Sequence, residues 1–423
     1  MTPAVDGARL WRELETLASS SDAPAPAVTR IVFGETDLRA RDFVKTLCRE
    51  ASLVVREDAV GNTFARWIGS DPTRPPVATG SHCDAIPNAG RFDGTVGVLG
   101  GIEAVRTLQR SGFHPRRSIE VVLFTSEEPT RFGIGCLGSR LLAGALDPSV
   151  GDTLTSNGQT LNEVRASAGF SGALSEVRVP AGAYAAFVEL HIEQGPILEQ
   201  RGLDIGVVTA IAAPASLRIL VEGEGGHAGA VLMPDRRDAF LAAAEMALAV
   251  EAAARSTGSI DTVATSGVCD VFPGAINSVP SRTRLEVDVR DIDLARRDSV
   301  LAHIGRSCDD IAGRRRVTVR IEPINADPPA RCAQRVIDAI IASCEAHRLR
   351  CHPMISRAYH DSLFMSRIAP TGMIFIPCRG GVSHRPDEYA SPEAIAHGTA
   401  VLADTLAALS TAEAVEGGGS GRL

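Results

Sequence analysis

The chain has 423 residues, 44% of them hydrophobic, and a formal net charge of -8. That length supports more than one hydrophobic core, so two domains are expected. The acidic balance argues against nucleic acid as a partner, and no run of about 20 apolar residues exists to span a membrane.

The N-terminal stretch "MTPAVDGARLWRELETLASS" has the spacing of an amphipathic helix. It lacks a basic start followed by an apolar core, so no signal peptide is expected. "PPVATGSHCD" reads as a buried strand, "TVGVLGGIEAVRTLQRSG" as a helix stopping at Gly112, and "SIEVVLFTSEE" as a second strand. "YAAFVELHIEQG" reads as a third. This alternation predicts an α/β sheet with mostly parallel strands. A second unit begins near Ile211. "ASLRILVEGEGG" is strand-like, and "PDRRDAFLAAAEMALAVEAAARST" is an Ala-rich helix with Pro234 at its start. Two further strands ("TVATSGVCDVFPG", "SRTRLEVDVRDID"), a helix ("DSVLAHIGRSCDDIAGRR") and a strand ("RVTVRIEPI") follow. This β-α-β-β-α-β order is a split βαβ layout. It ends near "NADPPA", after which a helix ("AQRVIDAIIASCEAHR") and a strand ("TGMIFIPC") resume the first pattern. The small domain is therefore expected as an insertion: 1–211 and 327–412 form one domain, 212–326 the other, and 413–423 a Gly-rich disordered tail. The nine cysteines are odd in number and contain no CxxC pair. That is the pattern of buried, reduced thiols in a cytoplasmic protein.

Three of the predicted strands end in charged clusters, where open α/β sheets place their functional groups. They carry His82, Asp84, Asp93, Glu127, Glu128 and His191, and His384 lies in a later loop: three imidazoles and four carboxylates. Hydrolytic sites with two divalent metals need such a mixture, with a carboxylate between ions about 3.5–4 Å apart. Imidazole and carboxylate donors suit Zn or Mn rather than a structural thiolate site. Asp84, two residues past His82, can point back at its ring and fix its tautomer. Singly, each residue also reads as a structural histidine, a solvated corner or a turn. Cys83 offers a nucleophile on paper, but neighbours along a strand point to opposite faces, away from the base it would need.

"GSHCDAIPNAGRFDGTVGVLGGIEAV", "FTSEEPTRFGIGCLGSR", "ELHIEQGPILE" and "GGVSHRPDEY" together resemble the signatures of the M20-type metal-dependent amidohydrolases. Within that family they resemble the hydantoinase/carbamoylase branch, which acts on carbamoyl amides. The similarity runs from about Leu10 to Leu409. It implies a large dinuclear-metallopeptidase-like catalytic domain with an inserted α+β dimerisation or lid domain. It further implies two divalent metal ions, Mn first, with Zn or Co as alternatives. Asp93 would bridge them, His82 and His191 would complete one site, and Glu128 and His384 the other. Glu127 would be the general base. His227, in "GEGGHAGAV", would stabilise the oxyanion from the small domain of a neighbouring subunit, making the enzyme a homodimer. Read without the family, His227 is equally a turn histidine.

The resemblance also implies a small ureido acid as substrate. Arg290 and Asn277 would bind its carboxylate, with Gln194, Tyr359 and His360 in the pocket. Arg290 alone would read as a salt bridge to Asp288 or Asp291. Two stretches narrow the branch. Pro129-Thr130 stands where allantoate and N-carbamoyl-amino-acid enzymes usually carry a small residue. Arg357-Ala358-Tyr359 precedes His360-Asp361 where those relatives carry Gly-Ala-Gly. Both variants resemble the members that cleave ureidoglycolate, since Tyr359 would shrink the pocket and add a hydroxyl; the alternative for Tyr359 is a core aromatic. The expected reaction is hydrolysis of (S)-ureidoglycolate to glyoxylate, ammonia and carbon dioxide in ureide nitrogen catabolism. N-Carbamoyl-L-amino-acid or allantoate hydrolysis is the first alternative. A peptidase of the wider family and a non-catalytic binding module remain further readings. Gln194, Asn277 and Arg290 oppose the peptidase, and the complete donor set opposes the binding module.

Overall fold

A computed structural model describes residues 5–412; the tail expected to be disordered, 413–423, lies outside them. The chain divides into two compact units. One holds the chain up to Thr209, Arg331–Met354 and the chain from His360; the other holds Ala210–Ala330 and Ile355–Tyr359. The short run 355–359 thus groups with the smaller unit, outside the 212–326 span expected from sequence.

In the larger unit the strands run in the order Ile205–Ile211, Thr371–Ile376, Ala186–Ile192, Val77–His82, Ile119–Phe124, Thr63–Trp67 and Val54–Glu57. The four from Thr371–Ile376 to Ile119–Phe124 are parallel. The flanking pairs are antiparallel. Parallel character is therefore confined to the centre, where every residue of these four strands is buried. Burial on both faces explains their near-continuous apolar runs, with no alternation to read. Helices Thr95–Arg110 and Pro392–Thr411 pack against each other and against this parallel centre. The shared direction of the central strands brings their carboxyl ends to one edge, and His82, Ser126–Glu128 and Ile192–Gln194 lie there.

The smaller unit is a four-stranded antiparallel sheet in the order Val263–Phe272, Arg282–Asp291, Ala213–Glu222, Thr318–Ala326. Helices Ala239–Ser256 and Leu294–Arg315 bury Ile219, Val221, Leu285, Val287 and Val289 beneath them. Each fully buried aliphatic contributes roughly 1.5–3 kcal/mol. The alternate positions carry ion pairs such as Arg218–Glu286 and Arg284–Asp270. Exposed pairs of that kind contribute about 0–1 kcal/mol each, so the apolar face dominates. Pro234 does not open the first helix. It lies in a 3₁₀ turn, Met233–Asp235, and the helix starts after Asp238, whose side chain accepts the Phe240 and Leu241 N–H groups. A capping carboxylate satisfies two otherwise orphaned donors, which proline at that point could not do. No cysteine is paired, but Cys269 is exposed on the edge strand, contrary to the expectation of buried thiols. No helix of the described residues is long and apolar enough to cross a membrane.

Candidate metal centre

The strand Val77–His82 delivers His82, Asp84 follows directly, and Asp93 lies beyond the short strand Ala85–Ala89. Helix Thr95–Arg110 begins at Gly94, with φ of 67°. A Cβ at Gly94 would lie 2.4 Å from His82 Nε2, so only glycine lets the helix start so close to the imidazole. Strand Ala186–Ile192 delivers His191, and the loop after Ile119–Phe124 delivers Glu127 and Glu128.

Two clusters share Asp93. His82, Asp93 and His191 place their ligand atoms within 4.8 Å of one another, and so do Asp93, Glu128 and His384. Asp93 Oδ1 is 3.1 Å from His191 Nε2 and 3.5 Å from His82 Nε2. Its Oδ2 is 3.4 Å from His384 Nε2, which is 3.2 Å from Glu128 Oε1. One carboxylate thus turns an oxygen to each set of imidazoles. Glu127 Oε2 is 3.6 Å from His82 Nε2.

The donors fit a divalent cation. His82 Nδ1 lies 3.0 Å from the Asp84 carbonyl and His191 Nδ1 lies 2.9 Å from the Ile192 carbonyl. A carbonyl only accepts, so both rings carry a proton on Nδ1; both Nε2 atoms face Asp93, and that of His191 also accepts the Gly94 N–H at 3.1 Å. His82 Nε2 is buried and has no hydrogen-bond partner. Burial, reinforced by the carboxylates of Glu128 and Asp361 and opposed by His82, raises the Glu127 carboxyl well above the usual range. For Asp93, burial opposes charge, but His191, His384 and His82 outweigh it and hold the carboxyl well below normal. His384 is pushed up to about 11 by Asp93 and Glu128. Anionic oxygens crowded around an orphaned imidazole nitrogen form a cavity that a cation stabilises. A third cluster, Glu189–His191–His360, is different. Glu189 already accepts from Ser81 Oγ, Ser362 N and Ser362 Oγ, so it reads as a satisfied structural carboxylate.

Asp84 acts otherwise than the sequence suggested. Its carboxylate stays 3.6 Å from His82 Nδ1 and instead accepts the N–H groups of Glu127 (3.2 Å) and Glu128 (3.0 Å). Two backbone donors compete better for it than a ring whose proton its own carbonyl already takes. Arg30 was invisible in the sequence. Buried, it donates through Nη1 to the Cys83 carbonyl at 2.6 Å and so braces the segment between His82 and Asp84. Cys83 is buried with its thiol pushed up to about 12 by burial, which excludes a thiolate nucleophile near neutrality. Ser126, Gln194 and His384 all have positive φ, at 55°, 54° and 59°. Such strain gathers where geometry outranks local comfort.

Gln194 donates through Nε2 to Asp93 Oδ2 at 2.6 Å, leaving its buried Oε1 without a partner. His360 is buried, its ring centred 4.5 Å from that of His191. The other expected pocket residues lie in the smaller unit. His227 is exposed, and its Nδ1 accepts the Gly229 N–H at 3.1 Å, which leaves the proton on Nε2. The Ala228 N–H donates to the Asn277 carbonyl, so His227 and Asn277 share one short ribbon. Arg290 Nε donates to Asp288 Oδ1 at 2.7 Å, the ion pair that sequence offered as its bland reading, and Nη1 to the Arg357 carbonyl at 3.2 Å. Tyr359 is half-buried rather than a core aromatic.

A split α/β fold whose paired imidazole–carboxylate clusters share one aspartate defines a class of metal-dependent hydrolase, and residues 78–408 match the model of peptidase family M20/M25/M40. The chain belongs to that family and is a hydrolase acting on carbon–nitrogen bonds of linear amides. It is 56% identical over 415 residues to ureidoglycolate hydrolase of Arabidopsis thaliana, covering 96% of this chain and 87% of that protein. It is 38% identical to the N-carbamoyl-L-amino acid amidohydrolase of Geobacillus stearothermophilus, over 97% of this chain and all of the relative. A crystal structure of AtUAH in complex with glyoxylate matches with a TM-score of 0.89 at 55% identity, covering 97% of this chain and 99% of that one.

Proposed function

We propose that this chain hydrolyses (S)-ureidoglycolate in the cytoplasm, within ureide nitrogen catabolism, as a homodimer with two divalent ions, Mn first and Zn or Co as alternatives. The observation that carries this reading is the near-complete match to AtUAH held with glyoxylate, the product expected here. His82, Asp93 and His191 would hold one ion; Asp93, Glu128 and His384 the other. The ions supply Lewis acidity that polarises the ureido carbonyl and makes water acidic enough to attack near neutral pH.

Glu127 then takes the proton of the attacking water and passes it to the departing nitrogen. Its raised affinity for a proton suits both halves of that task. Asp84 keeps Glu127 and Glu128 in place through their amides. The C–N bond between the carbonyl and the glycolate-side nitrogen breaks. Carbamic acid falls to ammonia and carbon dioxide, and hydroxyglycine expels its amine as ammonia to leave glyoxylate. Gln194 Oε1, left without a partner because Nε2 binds Asp93, suits a ureido N–H. Arg290 and Asn277 suit the carboxylate, and Tyr359 and His360 are further candidates for substrate binding. His227 carries its proton on Nε2, the tautomer an oxyanion needs. Leu232 and Met233, each 67% exposed, and Ile276 flank the His227 ribbon, and such apolar surface supports its docking on a second copy.

Product analysis tests the reaction. With Mn-loaded protein we expect two ammonia per glyoxylate and no urea. Urea and glyoxylate in equal amounts would mean elimination rather than hydrolysis and would overturn the proposal.

A further inference from the structure

Two polar residues with no part in the chemistry above, buried Glu388 and half-buried Ser383, link the loops that carry Asp93 and His384. Glu388 Oε1 accepts the N–H of Phe92 at 2.8 Å and of Asp93 at 3.1 Å. Glu388 Oε2 lies 3.0 Å from Ser383 Oγ, and that hydroxyl lies 2.6 Å from Asp93 Oδ2. Glu388 is 4% exposed, and its packing leaves no room at the facing glycine: a Cβ at Gly90 would fall 2.3 Å from the Glu388 Cβ. Both the backbone and the side-chain oxygen of Asp93 are therefore tied to one pair of residues. Ser383 also directly precedes His384, whose backbone is held at a positive φ.

The arrangement is lopsided. His82 and His191 are oriented by carbonyls of Asp84 and Ile192, without help from this pair. Asp93 Oδ2 and His384 face the other cluster; the pair holds that oxygen together with Gln194 Nε2, and Ser383 adjoins His384. We infer that Ser383 and Glu388 are positioning residues for the Asp93–Glu128–His384 cluster, setting its affinity for a divalent ion while leaving the His82–Asp93–His191 cluster nearly untouched. The inference rests on the proposal that these two clusters hold metal.

Equilibrium dialysis of metal-stripped full-length protein against Mn²⁺ alone tests it, with bound metal counted by emission spectroscopy. Glu388→Met removes both accepting oxygens at similar size. Ser383→Ala removes only the link to Oδ2 and spares the buried core. Outer partners of metal ligands typically set affinity by 10–100-fold. Both variants should bind one Mn²⁺ within about twofold of the parent, and the second at least tenfold more weakly. Glu388→Gln, which can still accept from both amides, should recover most of the loss. Unchanged binding of both ions in folded Ser383→Ala would overturn the inference, as would equal weakening of both, the mark of a general structural defect. A parent that binds no Mn²⁺ would instead overturn the metal reading itself, and this inference with it.

Discussion

In the proposed reaction Glu127 is the residue on which the chemistry turns, and its surroundings suit it to that role. Burial and neighbouring carboxylates favour its protonated form, whereas the imidazole of His82 opposes this. A base so balanced can take a proton and return it within one cycle. Glu127→Gln keeps shape and removes basicity, so it should retain metal while lowering kcat by about 10²–10⁴-fold. Metal analysis beside steady-state kinetics checks this, and unchanged kcat would remove Glu127 from the base role. At this scale the sequence was informative about residue type and weak about partner. "GSHCD" and "SEE" marked the polar strand ends. They could not tell that Asp84 would clamp the Glu127–Glu128 amides, and for Arg290 the sequence offered Asp288, Asp291 and a substrate carboxylate without choosing among them. Those choices depend on which donors the fold brings within 3 Å. Glu388 and Arg30 were missed for the same reason, since their partners lie 295 and 53 residues away.

Elements were legible where periodicity was strong. The amphipathic N-terminal helix and the alternating strands of the smaller unit matched their patterns closely. The edge strand Val54–Glu57 and its neighbour Thr63–Trp67 were missed, because short segments carry too few repeats to read. Pro234 misled because a proline can open a 3₁₀ turn as well as a helix. The strand Arg282–Asp291 ends on a buried carboxylate that anchors the smaller unit. Burial works against the charge of Asp291, but Arg296 and the Thr262 hydroxyl outweigh it and keep its carboxyl below the normal range. A depressed carboxyl stabilises the fold above its unfolded pKa, and that contribution is lost as pH falls through its folded value. Asp291→Asn should therefore cost about 2 kcal/mol near pH 7 and progressively less in acid. Urea unfolding at both pH values reads this directly; a pH-independent difference would show that the charge does not matter.

Across the whole molecule, the metal clusters draw ligands from four separate stretches of chain, spanning His82 to His384. Ions held by residues so far apart in sequence would staple the larger unit. Free Mn²⁺ at about 100 times its dissociation constant should stabilise the fold by about 2.7 kcal/mol. Chelation should abolish activity and lower the melting temperature, and re-addition should restore both; an unaltered melting temperature would contradict a stapling role. The two-unit division was readable because a split βαβ pattern interrupts a parallel one. The return of 355–359 to the smaller unit was not, since five residues carry no pattern of their own. The most direct test of the account is ammonia release by Mn-loaded protein from ureidoglycolate, allantoate, N-carbamoyl amino acids and β-ureidopropionate. The account predicts that kcat/KM for ureidoglycolate exceeds the others by about tenfold or more, about 1.4 kcal/mol in the transition state. A preference for an N-carbamoyl amino acid or allantoate, or silence across all four, would contradict it.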